Sequence, residues 1–169
     1  MPFPEFDEVY DRESYARRLE VVARACYIAG PMNFPDRAET LIHASAAHCF
    51  EQFCDVKHLP RWVPGLERAK VVRVRADGLP LEVLYEHATL SYSVLYDYDV
   101  MARRVTWEPG MGRRDSVRGF VEFTDDGDRC RMSYAVEAMN GRLRPNEAER
   151  FVAAFTKWVE ETPRASRGL

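Results

Sequence analysis

Residues 44–65 read ASAAHCFEQFCDVKHLPRWVPG. Ser45 is placed to cap a helix over Ala46–Cys54, and Asp55 can cap a second, shorter helix after it. The Pro-Gly pair that closes the stretch stops helical structure. Because the preceding Glu39–Ala44 has the composition of a strand, the region predicts one strand followed by two short helices.

The sequence that follows changes to short runs of β type. These runs are rich in β-branched and aromatic residues and are joined by turn sequences such as Asp77-Gly78 and Pro109-Gly110. The predicted strands are Ala69–Arg75, Leu81–His87, Ser91–Val100, Arg103–Glu108, Ser116–Thr124 and Arg129–Glu137. Six such strands with short connections predict an antiparallel meander.

The C-terminal region carries an amphipathic helix over Glu147–Glu161, with Asn146 as its expected cap. The helix has one broad apolar stripe that includes Phe151 and Phe155. A stripe of this width must be buried, and the meander offers a sheet face to bury it against. The sequence therefore predicts an α+β fold in which a curved antiparallel sheet wraps around the long C-terminal helix.

A further amphipathic helix is predicted at Asp11–Ala29, ahead of the linker Gly30–Asp36. The domain prediction is an N-terminal helical extension with linker at 1–36, one main domain at 37–162 and a disordered tail at 163–169. The first helix must pack its apolar stripe on its own domain or on a second copy, and the second arrangement would produce a homodimer.

Composition and charge exclude several classes of function. A net charge of −3 and a pI near 5.9 do not attract polyanions, so no nucleic-acid partner is expected. No apolar run is long enough to cross a bilayer, and no start resembles a signal peptide. The histidines and cysteines do not show metal-ligand spacing, so no metal and no cofactor are expected. The cysteines form no CxxC pair, and a reducing cytoplasm is predicted as the location. The cysteines are Cys26, Cys49, Cys54 and Cys130.

Residues 44–65, with their Pro-x-Trp and Trp-x-Pro-Gly patterns, resemble the first strand-to-helix passage of a known superfamily. It comprises START-related lipid-transfer domains, plant pathogenesis-related allergens and polyketide cyclase/dehydrase proteins (SRPBCC). Gly119–Phe123 and Cys130–Val136 resemble the superfamily's last hairpin, in which a glycine opens a bent strand over the cavity. The resemblance covers roughly residues 38–161 and implies the helix-grip fold with a cavity for a hydrophobic ligand.

The resemblance also implies which side chains contact the ligand, because alternate strand residues face the gripping helix. The candidates from strands and helix are Val83, Tyr85, His87, Tyr96, Trp107, Val121, Phe123, Met132, Tyr134, Phe151, Phe155 and Trp158. Aromatic walls with a few polar tips are typical of a ligand pocket. The same side chains can instead fill a solid core, and periodicity does not separate the two.

Three functions are compatible with this pattern. The first is binding or transport of a lipid, a quinone or a polyketide-like molecule. The second is a cyclase/dehydrase enzyme, in which Tyr96, Tyr134 and His87 supply the acid and base groups. The third is a structural or regulatory module without a ligand that dimerises through its N-terminal helix.

Cyclases of the superfamily use a pocket arginine to polarise carbonyl groups, and the matching strand Ser91–Val100 contains none. This departure favours binding over catalysis. Four arginines elsewhere in the meander are interpreted as surface groups that pair with nearby acidic residues. They are Arg104, Arg113, Arg114 and Arg118, with Asp97, Asp99 and Glu108 as the expected partners.

Overall fold

The computed structural model describes residues 34–110, 116–140 and 143–162. Its helices are α1 (Ala46–Cys54), α2 (Leu59–Trp62) and α3 (Glu147–Glu161), with a 3-10 turn at Val56–His58. Its strands are β1 (Asp36–Ile42), β2 (Leu66–Val74), β3 (Pro80–His87), β4 (Ser91–Asp99), β5 (Arg104–Pro109), β6 (Val117–Asp126) and β7 (Arg129–Ala138). The predicted first helix, the predicted tail, Arg113 and Arg114 lie outside the described residues.

The seven strands form one antiparallel sheet in the order β1-β7-β6-β5-β4-β3-β2. The β2–β7 segment is a meander of sequential neighbours, as the alternating pattern predicts. β1 pairs with the last strand, from Asp36 opposite Val136 to Ile42 opposite Cys130. The predicted fold class is confirmed: a curved antiparallel sheet holds a long C-terminal helix, and two short helices follow the first strand.

The core lies between the sheet and helices α1 and α3. Phe155 of α3 is fully buried and contacts Phe53 of α1, with ring centroids 5.9 Å apart, and Phe123 of β6, at 5.7 Å. Trp62 of α2 packs edge-on against Phe155 at 4.8 Å. The apolar stripe of α3 is therefore buried against aromatic side chains from three other elements.

The two long helices begin in different ways. The Ser45 hydroxyl accepts a hydrogen bond from the His48 amide at 3.2 Å, which confirms the predicted cap of α1. The predicted Asn146 cap is wrong, because Asn146 adopts a left-handed conformation and its side chain makes no capping bond. Instead, the Ala148 amide donates to Asp36 Oδ2 at 3.1 Å. The cap of α3 thus comes from the first strand of the sheet.

Replacing Asp36 with alanine is expected to lower the free energy of unfolding by about 1 kcal/mol, because an N-terminal amide of α3 loses its acceptor. Urea unfolding followed by circular dichroism measures this loss. Asp36→Asn keeps a side-chain oxygen in the same place and is expected to lose less. Equal losses in the two variants would show that the capping bond does not matter for stability.

Among the described residues, no helix combines the length and apolar character that crossing a membrane requires.

Candidate functional site

A cavity of about 100 Å³ lies between the sheet, the short helices and the N-terminal half of α3. Its walls are mostly aromatic and aliphatic, with phenol hydroxyls, one imidazole and one carboxylate as polar groups. The lining residues are Phe53, Leu59, Val63, Pro64, Tyr85, His87, Tyr92, Val94, Tyr96, Trp107, Val117, Tyr134, Val136, Leu143, Glu147 and Phe151. This composition, apolar with a few placed polar groups, is that of a small-molecule site.

Trp107 of β5 forms part of the cavity wall because its neighbour on β6 is a glycine. A Cβ atom at Gly119 would lie 2.6 Å from Trp107 Cζ2 and 2.2 Å from the Ala135 carbonyl oxygen. Neither contact is sterically possible, so a side chain at this position would displace the indole ring. Gly119 therefore allows the large ring to lie across the neighbouring strand.

Tyr85, Tyr92, Tyr96 and Tyr134 are the tyrosines that line the cavity. Tyr85 and Tyr96 share a hydrogen bond between their hydroxyls. Tyr134 is only 5% exposed, and its ring stacks on Phe151 with centroids 4.2 Å apart. Its hydroxyl forms no hydrogen bond with any residue in the described part of the chain. Polar hydrogens are thus available inside an apolar space.

His87 is oriented by two contacts at the end of β3. Its Nδ1 lies 3.0 Å from the Gly65 carbonyl oxygen, and its Nε2 lies 3.4 Å from the Tyr92 hydroxyl. A carbonyl can only accept, so Nδ1 carries the hydrogen and Nε2 of the neutral ring accepts from Tyr92. The Tyr92 ring also stacks on Tyr85, with centroids 5.6 Å apart. The Tyr92 hydrogen is therefore directed to the imidazole.

Burial keeps the cavity phenols protonated. It raises the pKa of Tyr85, Tyr96 and Tyr134 well above the ordinary value. Burial, and to a smaller extent the nearby Glu147 carboxylate, raises the pKa of Tyr92 to about 12. At neutral pH all four hydroxyls keep their hydrogens, so the cavity presents hydrogen-bond donors rather than phenolate bases.

The chain matches no model of a known protein family, and no curated protein matches it. Solved structures do share its architecture. A START superfamily protein from Mycobacterium smegmatis is 14% identical with a TM-score of 0.60, covering 73% of this chain and 95% of that protein. The Zhui aromatase/cyclase from Streptomyces sp. R1128 is 14% identical with a TM-score of 0.57, and the match covers 79% of this chain and 97% of that protein. Norcoclaurine synthase from Thalictrum flavum is 18% identical with a TM-score of 0.52, and the match covers 75% of this chain and 86% of that protein.

The chain has the START-type helix-grip fold. The match covers 86–97% of the three structures named here, including the sheet and its gripping helix. At identities of 14–18%, the structural similarity establishes the architecture alone. The chemistry depends on the side chains of the individual protein.

The helix-grip domain brings half of the predicted ligand contacts together around the cavity. Those that line it are Tyr85, His87, Tyr96, Trp107, Tyr134 and Phe151. Another five are fully buried in the core away from the cavity surface, namely Val83, Val121, Phe123, Met132 and Phe155. Trp158 is half-buried near the end of α3, where its indole N–H donates to Gln52 Oε1 at 3.3 Å.

Most of the remaining lining residues come from segments that the strand alternation does not address. Phe53 and Leu59 belong to the short helices, while Val63 and Pro64 follow them directly. Glu147 is the first residue of α3. Acidic residues are common at this position because their negative charge interacts favourably with the helix dipole. Tyr92, Val94 and Val136 share the alternation of the predicted residues, and this was the one signal for them in the sequence.

Arg104 and Arg118 lie on the opposite face of the sheet. Arg104 pairs with Glu122 at 3.4 Å, and Arg118 pairs with Glu137 at 2.6 Å. Both pairs form across neighbouring strands. Each guanidinium also covers an aromatic ring on that face. The Glu108 carboxylate also interacts electrostatically with Arg118, as expected, whereas Asp97 pairs with Arg75 and Asp99 accepts a hydrogen bond from the Ala102 amide. No arginine of the described residues lines the cavity.

Proposed function

We propose that this domain binds a hydrophobic small molecule in the cavity between the sheet and α3. The observation that carries the proposal is the cavity itself, which is lined mostly by aromatic and aliphatic side chains. Cavities with apolar walls bind apolar molecules of matching size, because the ligand regains dispersion contacts that the empty walls lack.

The solved neighbours include an aromatase/cyclase and norcoclaurine synthase, so one architecture carries different chemistries. The reaction or ligand of each member is therefore determined by its site residues. In this chain, the phenols of Tyr85, Tyr96 and Tyr134 remain protonated. Groups of this kind hold and orient a ligand, which supports binding as the function.

Toluene is a suitable probe for the cavity because it carries one apolar ring and no hydrogen-bonding group. We expect it to bind with a Kd on the order of 1 mM, since a ligand of this size gains only a few kcal/mol. Methyl NMR spectra recorded during a titration should show selective shifts of Val94 and Val136. Native mass spectrometry of the freshly purified protein tests independently for a copurified compound.

Val94→Phe places a ring inside the cavity and is expected to abolish toluene binding. Val72→Phe makes the same change at an exposed position of β2 and should leave binding unchanged. Circular dichroism confirms that both variants are folded. The proposal is rejected if saturating toluene shifts neither valine and the purified protein carries no compound.

A further inference from the structure

The volume of the cavity limits what it can hold. A protein cavity of about 150 Å³ accepts one benzene molecule, and the cavity here measures about 100 Å³. This space is at the lower limit for one ring, and a lipid chain or fused rings would extend beyond it. The stacked pair of Tyr134 and Phe151 forms part of its lining.

The phenol hydroxyls of the cavity have hydrogens that no described residue accepts. The bond between Tyr85 and Tyr96 uses one of their two hydrogens, so one hydroxyl of the pair can still donate whichever way the bond runs. The Tyr134 hydroxyl is also free to donate among the described residues. A neutral ligand with a hydrogen-bond acceptor satisfies these donors, whereas a pure hydrocarbon leaves them unpaired.

The charge at the cavity selects against anions. Glu147 contributes a carboxylate to the lining, at the first turn of α3. Its Oε2 has only a 3.5 Å contact to Arg150 Nη1. A ligand carboxylate would enter an apolar space beside this group and lose its hydration there.

Building on the proposed function, we propose that the cavity selects a neutral carbonyl compound no larger than one six-membered ring, held by hydrogen bonds from Tyr134 and the Tyr85–Tyr96 pair. Phe151 is the residue that excludes larger ligands. The carbonyl oxygen accepts hydrogen bonds from these hydroxyls, and the ring fills the apolar volume.

Cyclohexanone and methylenecyclohexane form a matched probe pair, since they share one shape and differ in C=O against C=CH₂. NMR titration gives the Kd of each. Tyr134→Phe is expected to weaken cyclohexanone binding about 5-fold while methylenecyclohexane changes less than 2-fold, because only the ketone loses a hydrogen bond. Tyr96→Phe should act in the same direction. Tyr98→Phe is the control, since that hydroxyl donates to the Pro80 carbonyl oxygen outside the cavity.

Two further probes test charge and size. Cyclohexanecarboxylate and 2-decalone are each expected to bind at least 10-fold more weakly than cyclohexanone. Phe151→Ala should admit 2-decalone and improve its affinity at least 5-fold over the wild type.

The outcomes separate this proposal from the broader one. If toluene and methylenecyclohexane bind but neither Tyr134→Phe nor Tyr96→Phe weakens the ketone selectively, the carbonyl preference is rejected and apolar binding stands. If 2-decalone binds the wild type as tightly as cyclohexanone does, the size limit is rejected. If none of the probes binds and the purified protein carries no compound, the function proposed above fails as well.

Discussion

Replacing Phe155 with alanine is expected to lower the free energy of unfolding by about 3–5 kcal/mol. The ring is fully buried where α3 meets Phe53, Trp62 and Phe123, so its removal leaves a cavity that the surrounding rings cannot collapse to fill. Urea unfolding monitored by tryptophan fluorescence measures the loss.

Phe151→Ala provides the comparison for this substitution. Phe151 lies on the same helix one turn earlier but is only half-buried and borders an existing cavity. We expect its loss to cost about half as much, because part of its surface is already exposed in the native state. A Phe155→Ala variant as stable as Phe151→Ala would contradict the assignment of Phe155 to the centre of the core.

Alkaline pH is expected to destabilise the domain steeply. Tyr85, Tyr96 and Tyr134 have pKa values raised by burial, so above pH 10 the unfolded chain ionises while the native state keeps its protons. Stability is therefore unaffected by these groups below pH 9 and falls as the pH rises further. Between pH 9 and pH 11 each phenol removes on the order of 1 kcal/mol, and the three act in the same direction.

The Tyr134→Phe variant isolates one of these contributions. Urea unfolding at pH 9 and pH 11 should show that the free energy of unfolding declines less than in the wild type, by on the order of 1 kcal/mol. Comparing the two proteins removes the contribution of cysteines and other groups that titrate in the same range. An identical decline in both proteins would mean that Tyr134 ionises freely in the native state.

The sequence predicts the elements well because each follows from local signals. The bounds of α3 are those predicted, Glu147 and Glu161, since its apolar stripe and the flanking prolines mark both ends. The cap of this helix was predicted incorrectly. Asn146 is a residue type that often caps helices and it stands directly before α3. The actual acceptor, Asp36, lies 112 residues before Ala148, whose amide it binds. No local pattern reports a contact at that distance.

The sequence predicts which side of the sheet each candidate side chain lies on, but not whether that side chain reaches the cavity or is packed in the core. Alternation along a strand identifies the side chains that point toward the helix, and it placed Tyr96 and Tyr134 correctly on that face. Alternation does not distinguish the inward-facing residues that are packed in the core from those that line the cavity. Met132, two residues before Tyr134 on β7, is fully buried in the core, whereas Tyr134 reaches the cavity. That difference depends on where α1 and α3 lie over the sheet.

The pairing of β1 with β7 has a consequence for biosynthesis. Asp36 lies opposite Val136, so the first strand emerges from the ribosome about 100 residues before its partner. At 5–20 residues per second this interval is about 5–20 s. The strands of the meander can pair with their sequential neighbours during that time, while β1 and the cap that Asp36 gives to α3 must wait. Closing the grip is thus a late step of folding, and it depends on contacts of the longest range, which form slowly.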